Sequence, residues 1–264
     1  MELEKYFRFD DADEKPLERL VTDGGLCGIF RTIGCVGDSL SSGEFESLDE
    51  DGNVGYHDLF EYSWGQYIAR DCGCRVFNFS RGGMTAKEYM EGFAEANGFW
   101  EDDKVCQAYI IALGVNDILG QKQPVGGVGD IDLADWRNNA DTFAGYYAAI
   151  VQRLKEKQPK ARFFFVTMPR DENGSPSPEH TALLHELAEL FEYSYVIDLD
   201  RYAPIYDGDF RRRFYLGGHL SAAGYLFTAR MIESYIDFII RHDMDGFRQI
   251  GFVGTEWYNV GHKW

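Results

Sequence analysis

Short apolar runs and longer stripes with helical spacing take turns along this chain. The runs fall at Phe30–Val36, Arg75–Phe79, Ala108–Leu113, Arg162–Thr167 and Ser194–Leu199. A strand covered on both faces requires such a run, and Ala108–Leu113 (AYIIAL) is the plainest example. Phe60, Trp64, Tyr67 and Ile68 repeat at i, i+4, i+7 and i+8 and predict a helix near Asp58–Arg70. A second helix is predicted over Thr85–Ala96. A third, over about 134–157, puts Phe143, Tyr146, Tyr147, Ile150, Val151 and Leu154 on one face. Ser177-Pro178 has the form of an N-cap with proline in the first turn, and the helix continues through Leu183, Leu184, Leu187 and Phe191. The last helix runs over about Ala222–Arg241. The stretch 119–133 is rich in Gly and Asp and reads as a long loop. Strands alternating with helices predict a parallel sheet with helices on both faces. No repeat and no linker breaks the pattern. Residues 1–264 therefore read as one domain, with an N-terminal extension (about 1–27) and an aromatic tail (about 243–264) that reads as packed on the domain, with a partner-binding tail as the alternative.

Composition narrows the function. Apolar residues are 45% and charged residues 27% of the chain, ample for a core. The net charge of −18 disfavours nucleic acid and anionic lipid surfaces and suits neutral or cationic small molecules. The five cysteines cannot all pair, Cys35 and Cys106 lie in predicted strands, and Cys72-Gly-Cys74 lacks the spacing of a redox or zinc motif. Free thiols, no apolar leader at the start and no apolar run long enough to span a bilayer predict a cytoplasmic protein without membrane insertion. His180 and His185 are not at i, i+4, and Gly126-Gly127-Val-Gly129 lacks the ending of a phosphate loop, so neither a metal nor another cofactor is expected. That glycine stretch reads as a surface loop, with a mobile lip over the site as its functional alternative. The acidic stretch 44–51 (EFESLDED) reads as a solvated run that could repel anionic substrates.

In folds of this type ligands bind outside the carboxyl ends of the strands. Four segments reach that edge: Gly37-Asp38-Ser39-Leu40, Ser80-Arg81-Gly82-Gly83, Gly114-Val115-Asn116-Asp117, and Gly217-Gly218-His219-Leu220 before the last helix. Each alone has an ordinary reading. Ser39 could be a cap, Gly82-Gly83 a turn, Asn116 a turn former and His219 a satisfied polar residue. Asp38 and Asp117 read as holders of loop backbone. Together at one edge the four segments point to chemistry.

These blocks resemble those of the SGNH hydrolases, the GDSL esterases and lipases. Gly37-Asp38-Ser39-Leu40 matches the nucleophile block, and Asn78 through Thr85 resembles the glycine block. Gly114-Val115-Asn116-Asp117 matches the asparagine block, and His219-Leu-Ser-Ala-Ala-Gly224 resembles the histidine block. The resemblance implies a flavodoxin-like three-layer α/β/α sandwich with a five-stranded parallel sheet. It implies Ser39 as nucleophile and His219 as general base. It implies an oxyanion hole made by the backbone N–H of Ser39, the backbone N–H of Gly83 and the side-chain amide of Asn116. The family places an aspartate three residues before the histidine, and here that residue is Leu216. Three explanations stay open. A backbone carbonyl near Leu216 or Gly217 could hold the imidazole in a Ser–His dyad. Asp207 or Asp209 could replace the acid. Or the chain could be a non-catalytic relative that binds a ligand. An imidazole with no acid at 216 and a helix N-terminus behind it predicts a neutral-to-alkaline activity optimum. The expected substrate is a small-molecule ester, with a short acyl group such as acetyl on a carbohydrate or other polar carrier. The alternative is a lysophospholipase or thioesterase acting on longer chains.

Overall fold

The computed structural model describes residues 13–259. Five strands form the central sheet: β1 (Thr32–Gly37), β4 (Arg75–Ser80), β5 (Ala108–Ala112), β6 (Arg162–Val166) and β7 (Ser194–Ile197). Their spatial order is β4-β1-β5-β6-β7 and all four pairings are parallel. The sheet is the five-stranded parallel one the apolar runs predict.

Alternation along the strands divides the core in two. Ile33, Cys35, Ile110, Phe164 and Ile197 point to one face. There they meet Trp64 and Ile68 of α2 (Trp64–Cys72) and Tyr225, Ile232 and Ile236 of α6 (Ala222–His242). Val36, Phe79, Tyr109, Ile111, Phe163 and Phe165 point to the other. They meet Tyr147, Ile150 and Val151 of α3 (Phe143–Lys157) and Leu183, Leu184 and Leu187 of α4 (Pro178–Leu190). Phe163-Phe164-Phe165 is entirely buried because each ring goes to the layer opposite its neighbour's.

Three predicted helices differ from the structure in informative ways. Ser177 caps α4 with Pro178 in its first turn, as the dipeptide predicts. α3 begins at Phe143, well after 134, because Thr142 accepts the Gly145 N–H. The residues before it are tied into a polar knot, where Asp132 accepts the N–H groups of Ala134 and Asp135. The Thr85–Ala96 segment is helical but bends through a π-type turn at Tyr89–Phe93, where Gly92 leaves helical geometry. The predicted helix over 58–70 starts only at Trp64, behind a 3-10 turn at Phe60–Tyr62. A larger difference precedes it. The stretch read as solvated and acidic is half of an antiparallel hairpin, β2 (Glu44–Leu48) with β3 (Val54–Asp58).

The described part of the C-terminal tail buries Phe247, Ile250 and Val253. The Arg162 guanidinium bonds to Gly246 O and Gln107 donates to Ile250 O, so the tail lies at the amino ends of the strands. The described N-terminal residues run along α6, with Glu14 paired to Arg241 and the Val21 N–H bonded to Ser234. The glycine-rich loop is pinned to the start of α3: the Phe143 and Ala144 N–H groups bond to Pro124 O and Val125 O. Among the described residues no helix is long and apolar enough to cross a membrane.

The sheet order reverses at β1, since β4 joins one side of it and β5 the other. A crevice opens outside the carboxyl ends of strands at such a point. Gly37, the last residue of β1, fits there only without a Cβ, which would stand 2.2 Å from Ser41 Oγ and 2.9 Å from Ala112 O. Gly37→Ala is expected to destabilise the protein by about 1–3 kcal/mol through overpacking, read as a lower midpoint in urea unfolding at unchanged slope.

Candidate active site

The chain leaves β1 into a single helical turn, α1 (Ser39–Ser42). Asp38 caps it, its Oδ1 accepting the Leu40 N–H at 3.1 Å, and Gly43 ends it with φ at +82°. Ser39 is therefore the first residue of a turn anchored at both ends. Ser42 bonds to Ser39 O at 3.2 Å and to Asp58 at 2.5 Å. Asp38 is buried, and burial pushes its carboxyl up to about 6.

Behind β4, Ser80 Oγ donates to Cys35 O at 2.7 Å and ties that strand end to β1. Gly83 has φ +69°, a conformation that favours glycine. Among the described residues, its chain neighbours aside, no atom lies within 4 Å of where its Cβ would be, so a ligand has room against this backbone. Behind β5, Gly114 has φ +130°, and a Cβ there would meet the His180 ring at 2.7 Å. His180 is buried, and burial lowers it to about 4, so it is a neutral packing group that bonds to Leu113 O. The next turn carries Asn116 and Asp117. Asn116 Nδ2 donates to Met84 O at 3.2 Å and reaches Asp38 Oδ2 at 3.4 Å, so one amide touches both the nucleophile and the glycine blocks. Asp117 is fully buried and accepts the Ala86 N–H at 2.7 Å, and burial pushes its carboxyl up to about 6. Asp38 and Asp117 hold loop backbone, the role the sequence suggests for both.

His219 arrives on a two-strand ribbon, β8 (Tyr215–Leu216) and β9 (His219–Leu220), turned by Gly217-Gly218. Ser221 then caps α6. Two carboxylates bracket the imidazole. Nδ1 lies 2.6 Å from Glu46 Oε1 and Nε2 lies 3.2 Å from Glu44 Oε1. Both glutamates come from β2, two residues apart and so on one face of the strand. The three side chains are only 16, 15 and 14% exposed. The Gly218 N–H and then His219 hold the Glu46 carboxyl below its usual range. Burial, with Asp58 and Glu46 nearby, pushes Glu44 up against the pull of His219. Glu44 also lies against the glycine block, since a Cβ on Gly82 would stand 1.9 Å from its Oε2.

The substitutes proposed for the missing acid sit elsewhere. Asp207 accepts the Phe210 N–H and caps α5 (Gly208–Phe214), while Asp209 pairs with Arg212 on the exposed side of that helix. The imidazole N–H meets a carboxylate rather than a backbone carbonyl near Leu216 or Gly217. The expectation of an imidazole with no acid beside it thus fails. Only the hairpin itself left a trace in the sequence, not its meeting with His219. Asp51-Gly52 between two alternating runs is a hairpin signal, and the hairpin brings the glutamates back over the site.

Beneath the nucleophile turn is an apolar cavity of about 80 Å³. Asp38 and Leu40, the neighbours of Ser39, line it with Ala112, Leu113, Val115 and Tyr206. Among the described residues no group of three or more His, Cys, Asp or Glu is placed to hold a metal ion.

The model of the GDSL-like lipase/acylhydrolase family matches residues 35–226, which includes all four blocks. The chain belongs to that family. Solved structures similar to this GDSL-like chain share its fold at low identity. A protein from Lactobacillus plantarum is 18% identical, with TM-score 0.55, over 79% of this chain and 97% of its own. A carbohydrate esterase family 2 enzyme with a carbohydrate-binding domain, from Corynascus thermopiles (Myceliophthora fergusii), is 15% identical, with TM-score 0.52, over 82% of this chain and 67% of its own. A family two carbohydrate esterase from Clostridium thermocellum, in complex with cellohexaose, is 16% identical, with TM-score 0.54, over 88% and 66%. No curated protein matches the sequence. Membership of this GDSL-like family makes ester hydrolysis the class of reaction to which the site is to be related.

Proposed function

We propose that this GDSL-like protein hydrolyses carboxylic esters through an acyl-enzyme on Ser39, acting on short acyl groups such as acetyl carried by a polar, sugar-like molecule. Ser39 Oγ attacks the ester carbonyl carbon while His219 takes the hydroxyl proton. The carbonyl π electrons move onto oxygen, and the N–H groups of Ser39 and Gly83 with the Asn116 amide receive that charge. Collapse of the tetrahedral intermediate breaks the bond to the leaving alcohol, which takes the proton from His219. Water then attacks the acyl-serine, again giving its proton to His219, and releases the acid and free Ser39.

The observation that carries this reading is the meeting of four chain-distant blocks at one sheet edge. Asn116 reaches Asp38 and Met84 O, and Glu44 lies against both Gly82 and His219. The short acyl group is favoured by the small cavity lined by Asp38 and Leu40, the chain neighbours of Ser39. The polar carrier is favoured by the rim. Tyr56 is 61% exposed and lies T-shaped to the His219 ring at 5.9 Å, an exposed aromatic of the kind that packs on sugar rings, beside the acceptor oxygens of Glu44 and Glu46. The same carboxylates oppose phosphate-bearing substrates, such as lysophospholipids or coenzyme A thioesters. The test is a series of p-nitrophenyl esters from acetate to palmitate, together with acetylated xylose oligomers. We expect kcat/KM to be highest at acetate or propionate and to fall by at least about tenfold by octanoate, since one ill-fitting methylene alone is worth about 1–3 kcal/mol. A profile rising toward palmitate overturns the short-acyl reading.

A further inference from the structure

The geometry points to Glu46 as the acid that orients His219, supplied by the hairpin after the nucleophile instead of the loop before the histidine. This assignment rests on the reading of Ser39 as nucleophile and His219 as base. Glu46 Oε1 takes the imidazole Nδ1–H at 2.6 Å and the Gly218 N–H at 2.8 Å, so ring and carboxylate are fixed to each other and to the β8–β9 turn. That turn is built to admit it. A Cβ on Gly217, whose φ is +70°, would stand 1.9 Å from Glu46 Oε2, and one on Gly218 would stand 2.8 Å from Oε1. Leu216-Gly217-Gly218 thus brings no acid of its own and leaves empty the volume that the incoming carboxylate fills.

Glu44 is the rival, and position separates the two. Glu44 meets Nε2, and its carboxylate lies over Gly82 on the oxyanion side of the ring, where the ester must enter. Glu46 meets Nδ1 on the side closed by the glycine turn. With Nδ1–H given to Glu46, Nε2 carries the lone pair that takes the serine proton. Glu44 can approach that nitrogen only with a proton shared between them, and it must swing aside when Ser39 and substrate engage. The hairpin is held while this happens. Tyr225 donates to Glu44 O at 2.6 Å, Leu59 N–H bonds to Gly43 O, and Ser42 bonds to Asp58. The charged and titratable groups facing the imidazole are Asp38 from the nucleophile turn, Glu44 and Glu46 from β2, and Tyr56 from β3, with Asp58 behind Glu44.

The experiment compares wild type with Glu46→Gln, Glu46→Asp, Glu44→Gln, Ser39→Ala and Asp209→Asn on p-nitrophenyl acetate, with full pH profiles. Asp209 is exposed and paired to Arg212, so Asp209→Asn is expected to match wild type. Glu46→Gln is expected to lower kcat by about 10²–10⁴-fold, the cost of removing a triad acid while keeping its shape. It should also move the acid limb of kcat/KM to lower pH, because imidazolium loses an adjoining negative charge. Glu46→Asp should recover part of the rate. Proton NMR adds a readout that needs no turnover: a low-field Nδ1–H signal in wild type, absent in Glu46→Gln. The assignment is overturned if Glu46→Gln keeps both rate and acid limb while Ser39→Ala is inactive. It is overturned equally if Glu44→Gln, and not Glu46→Gln, produces the loss and the shift. Full activity in Ser39→Ala is a different failure, which removes the nucleophile reading and this assignment with it.

Discussion

Replacing Ser39 by alanine is expected to reduce ester hydrolysis by about 10⁴–10⁶-fold while leaving the fold intact. The two halves of that statement have separate causes. The turn that carries Ser39 is held by backbone and by its neighbours: Asp38 caps it, the Gly43 N–H bonds to Ser39 O, and Ser42 ties it to Asp58. Among the described residues no hydrogen bond to Ser39 Oγ holds that turn together, so its removal costs little stability. Adjacent hydroxyls cannot take over, because Ser41 and Ser42 are fully buried. What remains in the variant is the oxyanion hole and substrate binding, which in other hydrolases give a residual rate well above that of water alone. The check is kcat/KM on p-nitrophenyl acetate beside thermal unfolding, with mass spectrometry of protein treated with a fluorophosphonate. Wild type should gain one phosphonyl group on Ser39 and the variant none. Retained turnover with an unchanged melting curve would place the nucleophile elsewhere.

How much of this was legible beforehand follows from which forces act locally. The five sheet strands could be read from sequence because the three central ones, β1, β5 and β6, are buried at nearly every position, and the edge strands β4 and β7, though partly exposed, still carry short apolar runs. The carboxyl-end blocks could be read because strand ends are fixed once strands are. The hairpin Glu44–Asp58 could not be read by that logic. Its outer positions are exposed, with Leu48 at 72% and Tyr56 at 61%, and its acids lower its hydropathy to that of a solvated loop. Its reason for folding is not a local apolar pattern but pairing with itself and docking on the β8–β9 turn. The partner of His219 was illegible for the same reason: Glu46 lies 173 residues away in sequence, beyond any local spacing rule. Proximity in sequence favoured Asp207 and Asp209, yet a carboxylate beside a helix start has nearer uses. Asp207 caps α5 and Asp209 pairs one turn later with Arg212. The start of α3 shows a similar limit, because the apolar stripe reports which face is buried and not where the first free N–H finds its cap.

Asn116→Ala is expected to lower kcat by about 10²–10³-fold with KM changed by no more than a few-fold. In the free protein the amide nitrogen has two partners, Met84 O at 3.2 Å and Asp38 Oδ2 at 3.4 Å, both at the long end of hydrogen-bond distances. The side chain is therefore aimed by neighbours from two blocks but not used up by them. A growing oxyanion between Ser39 and Gly83 can draw one of its N–H groups at small cost. That bond strengthens only as charge develops on the carbonyl oxygen, so its loss falls on kcat rather than on KM. Folding should suffer by about 1 kcal/mol or less, since both bonds being removed are weak. Asn116→Asp separates donor from shape. It keeps the volume and loses the donor. It also brings a carboxylate against Asp38, whose carboxyl burial already pushes up to about 6. Two acids at this distance favour keeping one proton between them, so the aspartate variant should be at least as impaired as the alanine variant at neutral pH. It should recover part of its rate toward lower pH, where the introduced carboxyl is protonated and can donate, until protonation of His219 limits the reaction. Steady-state kinetics of the two variants across pH decide the matter. A loss confined to KM in Asn116→Ala, or an aspartate variant as fast as wild type at pH 8, would show that the oxyanion does not depend on this amide.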